Sequence, residues 1–173
     1  MFVPFATISI GTISCYGWVM TTQPSGTSIN GWRLFITAHA ALVERIDREL
    51  SAAGVIPLLW YDVLVELAQA PEQRRRMYEL ADAVVLSKSS LSRLIDRLEA
   101  EGLLRREPAL EDRRGAFAVL TDAGQAALEA AWPIYSRGIE QHFARHFDGD
   151  ETSVLIAGFR RVLTDLRATK STT

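Results

Sequence analysis

LADAVVLSKSSLSRLIDRLEAEGLLRREPALEDRRGAFAVLTDAG, residues Leu80 to Gly124, changes its apolar period twice within one run. In KSSLSRLIDRLEAE, Leu91, Leu94, Ile95 and Leu98 recur at helical spacing, which predicts an amphipathic helix with one buried face. Ser87 stands just before it, where a hydroxyl accepts from the free amides of a first helical turn. Gly102 closes the helix. LLRRE and GAFAVL are then short and strand-like, and PALEDRR separates them, so a β-hairpin with a long charged tip follows. Thr121 is placed to cap the next helix.

On the N-terminal side, residues 30–53 carry Phe35, Leu42, Ile46 and Leu50 at helical spacing, with Gly54 as a stop. Pro57 suits the first turn of a second helix with a Trp60, Val63, Leu64 and Leu67 stripe. Glu72 to Arg76 reads as a charged loop, and MYELADAVV as a short third helix with Leu80 and Val84 inward. After Thr121 a fifth helix runs through Leu128 and Trp132 toward Phe143 and Phe147, and Pro133 within it predicts a kink. A sixth helix carries Leu155, Phe159, Val162 and Leu166. The fold class is therefore mainly α. A winged helix-turn-helix lobe with a two-stranded β-wing occupies residues 57–120, flanked by helices at 30–56 and 121–170. The flanking apolar stripes need a partner, and a second copy is the economical one, so these are read as dimerisation helices of a homodimer.

The remaining composition bounds the function. The chain has 173 residues, 48% apolar and 23% charged, with a net charge of −2. That is globular composition, and it excludes a chain coated in positive charge. All the Asp, Glu, Lys and Arg residues lie from Arg33 onward, leaving 1–29 as an uncharged tail. Pro4, Gly11 and Gly17 interrupt its apolar run, whereas a membrane helix needs about 20 consecutive apolar residues. No stable membrane association is expected, and a native start at Met20 is the expectation, with 1–19 upstream of it. The one cysteine, Cys15, builds neither an internal disulfide nor a multi-cysteine metal site, which fits a cytoplasmic location.

The run quoted above resembles the core of the MarR family of transcriptional regulators. The resemblance rests on S-x-x-x-L-x-R-L-x-D-R-L-E-x-x-G-L through the fourth helix, on D-x-R at Asp112 and Arg114, and on L-T-x-x-G at Leu120 to Gly124. It implies a homodimer on a pseudo-palindromic double-stranded DNA site, often a repressor released by a small molecule. One departure stands at Tyr78, where the family often has Ser or Thr opening the third helix. A missing N-cap costs about 1 kcal/mol.

A recognition helix enters the major groove with its N-terminal end near base edges. Ser87, Ser89 and Ser92 are small enough for close approach, and Lys88 and Ser90 are candidate phosphate contacts. Arg93 is the candidate base reader, since a guanidinium pairs with two acceptors on guanine. Arg97 is a second candidate that could instead pair with Asp96 or Glu101. From Ser87 to Arg114 seven basic residues face six acidic ones, so placement rather than count makes any basic surface. At the hairpin tip Arg113 and Arg114 can reach a minor groove, whose narrow tracts concentrate negative potential. The family pattern implies that Asp112 holds the Arg114 fork. The competing reading is a winged helix used only for protein contact.

The resemblance also implies a ligand space between the dimer helices and the DNA-binding lobe. Trp32, His39, Trp60, Tyr61, Asp62 and Tyr135 are its candidate lining, with purines or aromatic acids as first screens. His142 and His146 stand at i, i+4, a spacing that suits zinc on one helix face, but without a nearby Cys or Glu partner. A metal-responsive regulator is thus an alternative, and no metal or cofactor is assigned. No nucleophile–base pattern, glycine-rich phosphate loop or HExxH occurs, so no enzyme is expected.

Overall fold

The computed structural model describes residues 24–84, 88–109 and 116–170. Packing divides the chain into two units, Met1–Ile36 and Thr37–Thr173. Helix α1, Gly26–Ala52, runs through both. It starts earlier than its apolar spacing predicts because Ser25 caps it, its Oγ accepting from the Ser28 N–H at 3.1 Å. In the first unit Trp32 and Phe35 pack ring to ring with centroids 6.0 Å apart. Ile29, Trp32, Leu34, Phe35 and Ile36 are all exposed there.

In the second unit the order is α2 (Leu58–Ala68), β1 (Arg74–Arg76), α3 (Met77–Ala83), α4 (Lys88–Ala100), β2 (Leu104–Pro108), β3 (Ala116–Leu120), α5 (Asp122–His142) and α6 (Gly149–Lys170). The buried stripes of α1, α2, α4 and α5 meet the inner face of the sheet in one core. Leu50, Leu64, Leu67, Leu80, Ile95 and Leu98 are its largest fully enclosed members. Asp47 on α1 reaches across to α2, where its Oδ1 accepts the Leu58 N–H at 2.9 Å. A carboxylate from another helix thereby caps a start that Pro57 cannot cap itself.

The expected hairpin forms, with Pro108 opposite Ala116 as the last pair before the tip. The stretch expected as a charged loop does more: Arg74–Arg76 pair antiparallel with β3, giving a three-stranded sheet in the order β1-β3-β2. Consequently α3 opens at Met77, with Arg76 at the N-cap position and its N–H donating to Glu79 Oε2 at 3.2 Å. Tyr78 is inside the helix, so its lacking a capping hydroxyl does not decide this helix start.

The L-T-x-x-G run is a joint between α4, β2 and α5. Thr121 Oγ1 accepts from the Gly124 N–H at 3.1 Å and donates to the Gly102 carbonyl at 2.7 Å. Gly102 itself sits at φ 71, a left-handed turn that a Cβ would strain. At Gly124 a Cβ would come within 2.0 Å of the Leu103 carbonyl oxygen, so only glycine lets α5 lie this close to the start of the wing. Helix α5 continues through Pro133 but ends at His142, because Phe143 leaves helical geometry at φ −123, ψ −66. Along α6, Val154, Ile156, Phe159, Val162, Leu163 and Leu166 remain exposed. Among the described residues no helix is long and apolar enough to cross a membrane.

Candidate nucleic-acid interface

Helix α4 has two faces. Leu91, Leu94, Ile95 and Leu98 are buried, while Ser89, Ser90, Ser92, Arg93, Asp96 and Arg97 are exposed. Its four buried side chains lock the helix to the core and fix which residues it presents outward. Arg93 lies back along the helix, its Nε donating to the Ser89 carbonyl at 3.4 Å. Among the described residues Arg97 makes no ion pair with Asp96 or Glu101, and Asp96 pairs with Arg106 instead. Of the other sequence candidates, Ser87, Asp112, Arg113 and Arg114 lie outside the described residues, as does the side chain of Lys88.

Sequence reading missed the sheet's part in this surface. Strand alternation sends Arg106 toward α4, where its guanidinium bonds the Asp96 carboxylate at 2.5 Å and also Glu99. The Arg106 N–H donates to Glu99 Oε1 at 3.0 Å. Wing and recognition helix are thus joined by charge. Arg75 turns toward α2 and pairs with Glu66 at 3.1 Å. On the opposite face of the sheet, the Arg74 and Arg76 guanidiniums stand over one ring, Phe117, at 4.9 and 4.7 Å from its centroid. Arg74 is paired with Glu72 at 2.6 Å, and Arg105 with Glu107 at 2.6 Å. Alternation in the two charge-rich strands is the signal that separates these roles, but it becomes readable only once the register is known.

A cavity of about 780 Å³ opens against α1, α2 and the end of α3. His39, Trp60 and Asp62, of the six ligand candidates, line it together with Val43, Asp47, Leu59, Glu66, Ala83 and Val84. Tyr61 is instead buried against Tyr135, ring centroids 4.9 Å apart, and Tyr135 also meets Trp132 at 6.3 Å. Trp32 belongs to the first unit and is exposed. Burial pushes the Asp62 carboxyl above its usual range, and Glu66 adds to the push. Burial likewise raises the Tyr135 phenol, with Asp62 and Tyr61 contributing.

The histidine spacing does not survive folding. His142 ends α5 and His146 lies in the following 3-10 turn, Ala144–His146, so they do not share a helix face. His142 Nε2 instead meets Glu49 Oε1 on α1 at 2.8 Å, and that hydrogen bond holds the Glu49 carboxyl below its usual range. Among the described residues no group of three or more His, Cys, Asp or Glu side chains could hold a metal ion.

Residues 54–115 match the sequence profile of the MarR family. The crystal structure of AbsC, a MarR family transcriptional regulator from Streptomyces coelicolor, superposes with a TM-score of 0.76 at 30% identity, covering 86% of this chain and 99% of that one. This chain belongs to the MarR family. Sco3205, a MarR family transcriptional regulator from the same organism solved in complex with DNA, matches with a TM-score of 0.75 at 32% identity, over 82% of this chain and 89% of that one. An uncharacterised HTH-type transcriptional regulator of Bacillus subtilis, YkoM, is 28% identical over 75% of this chain and 81% of its own length.

As a MarR-type transcriptional regulator, the chain carries the family's matched segment from the α1–α2 turn to the wing tip. The MarR fold also accounts for the three-stranded sheet, whose β1 delivers the chain directly into the first helix of the helix-turn-helix.

Proposed function

We propose that this MarR-family regulator binds a pseudo-palindromic DNA operator as a homodimer, represses transcription in the cytoplasm, and lets go when a small molecule enters the cavity beside α2. The observation that carries the DNA reading is α4 itself: a helix held by four buried side chains and presenting Ser89, Ser90, Ser92 and Arg93 outward. Serines allow close approach to the groove, and the Arg93 fork can pair with guanine. Arg114 is assigned to the minor groove beside it, with Asp112 and Arg113, and Lys88 to phosphate. The exposed apolar residues of α1 and α6 support a second copy as the covering partner. The two recognition helices should then stand about 34–36 Å apart, one turn of DNA.

The ligand reading rests on where the cavity ends. Ala83 and Val84, at the close of α3, line it, and the chain reaches α4 a few residues later. A molecule pressing there acts on the helix that reads DNA. Asp47 is held by the Leu58 amide and Glu66 by Arg75, which leaves Asp62 to meet the ligand. No Lys or Arg is among the described lining residues, so a donor-bearing or cationic ligand suits this space better than an aromatic acid.

The test is fluorescence anisotropy with a labelled duplex from upstream of the protein's own gene, against a scrambled duplex. Arg93→Ala should cost about 1–3 kcal/mol at particular base pairs only. Arg114→Ala should weaken both duplexes alike. Equal binding of the two duplexes by wild type would remove the operator reading, and a monomer by sedimentation at micromolar concentration would remove the dimer.

A further inference from the structure

We propose that Arg76 is a phosphate clamp, a guanidinium shelved on Phe117 that grips the DNA backbone alongside the wing, on the sheet face turned away from α4. It rests on the DNA-binding reading above and adds a contact that α4 and the wing tip do not supply. Antiparallel pairing sets Arg76 opposite Phe117, one row from the final Pro108–Ala116 pair. The last residue of β1 therefore sits at the end of the sheet from which the wing tip departs. The next residue, Met77, begins α3. Arg76 is thus where the sheet that carries the wing meets α3.

The charges around it are unequal. Three arginines, Arg74, Arg76 and Arg105, share this face with Phe117 and Glu107. Arg74 has Glu72 and, at 3.9 Å, Glu107, which also pairs with Arg105. Arg76 has no carboxylate partner among the described residues, although a second guanidinium lies over the same ring. The Arg74 charge is already met by carboxylates, whereas the Arg76 charge beside it is left to meet an arriving anion. The ring holds the Arg76 guanidinium 4.7 Å from its centroid, and a guanidinium is a planar fork that can take two phosphate oxygens at once.

The experiment measures binding of the full chain to the labelled upstream duplex and to a scrambled duplex from 50 to 300 mM KCl. Arg76→Gln should weaken both duplexes by one common factor, about five- to tenfold at 0.1 M salt, and reduce the slope of log K against log salt by about 0.9 per contact. Arg161→Gln on α6, with the same change in net charge, should leave the slope as in wild type. Arg76→Lys should restore the slope while keeping a deficit of about threefold, because the charge returns without the fork. A slope for Arg76→Gln equal to that of Arg161→Gln overturns the clamp while leaving operator binding intact. Should Arg76→Gln not fold, Arg76→Lys decides: affinity equal to wild type overturns the clamp. Wild-type protein that ignores DNA altogether overturns the underlying reading and this contact with it.

Discussion

The Arg106 guanidinium on β2 bonds the Asp96 carboxylate on α4 at 2.5 Å, tying the wing to the recognition helix. Asp96 is an acid on the helix face assigned to DNA, where a bare carboxylate repels phosphate. Arg106 cancels that charge from behind and takes Glu99 as a second partner. Replacing Arg106 with Ala should lower unfolding free energy by only about 1 kcal/mol, since the network is partly exposed. It should weaken DNA binding further than that, because Asp96 is uncovered. Urea melts beside anisotropy titrations check this, and Asp96→Asn should recover most of the lost affinity in the Arg106→Ala background.

Gly124→Ala should destabilise the protein by about 2 kcal/mol or more, because its Cβ lands on the Leu103 carbonyl and backbone must move. Gly149→Ala meets no atom within 4 Å and should be close to neutral. Thermal melts of the two variants side by side separate close approach from general glycine loss.

The Glu49–His142 pair gives an acid limb to stability. The His142 hydrogen bond lowers the Glu49 carboxyl, with Arg45 assisting and burial opposing. A folded value below the unfolded one means stabilisation that is fully present above the unfolded value and lost as pH falls through the folded one. Glu49→Gln should therefore melt below wild type at pH 7, and the difference should close as pH is taken below about 4, where the unfolded carboxyl also takes its proton. A gap that is constant from pH 7 to pH 3 contradicts this.

Asp62 runs the other way. Its carboxyl is raised by burial, so the charged form costs stability above the folded value, and that cost is relieved as pH falls. Asp62→Asn should raise the melting temperature at pH 7, with the gain shrinking toward acid pH. Calorimetry with 2-phenylethylammonium and 3-phenylpropionate checks the cavity's charge preference. The ammonium should bind more tightly, and Asp62→Asn should reduce its affinity by about tenfold or more.

How much of this was legible beforehand differs by element. The Leu91, Leu94, Ile95 and Leu98 stripe identifies α4 because burial of one face is written in local spacing. Thr121 and Gly102 are legible as a cap and a stop for the same reason. Arg74–Arg76 is not legible as a strand, since three arginines carry no apolar alternation and become β1 only through pairing with β3. The histidine pair misled because i, i+4 spacing assumes a continuous helix, which Phe143 ends.

The same divide holds for the site. Residue order alone determined that a polar helix face would precede an arginine-tipped hairpin, because both features follow from periodicity along the chain. Folding in three dimensions alone set Arg106 against Asp96 and laid Arg76 over Phe117. Arg76 and Phe117 come from strands far apart in sequence, and a one-residue change of register would exchange which arginines face the helix and which face solvent.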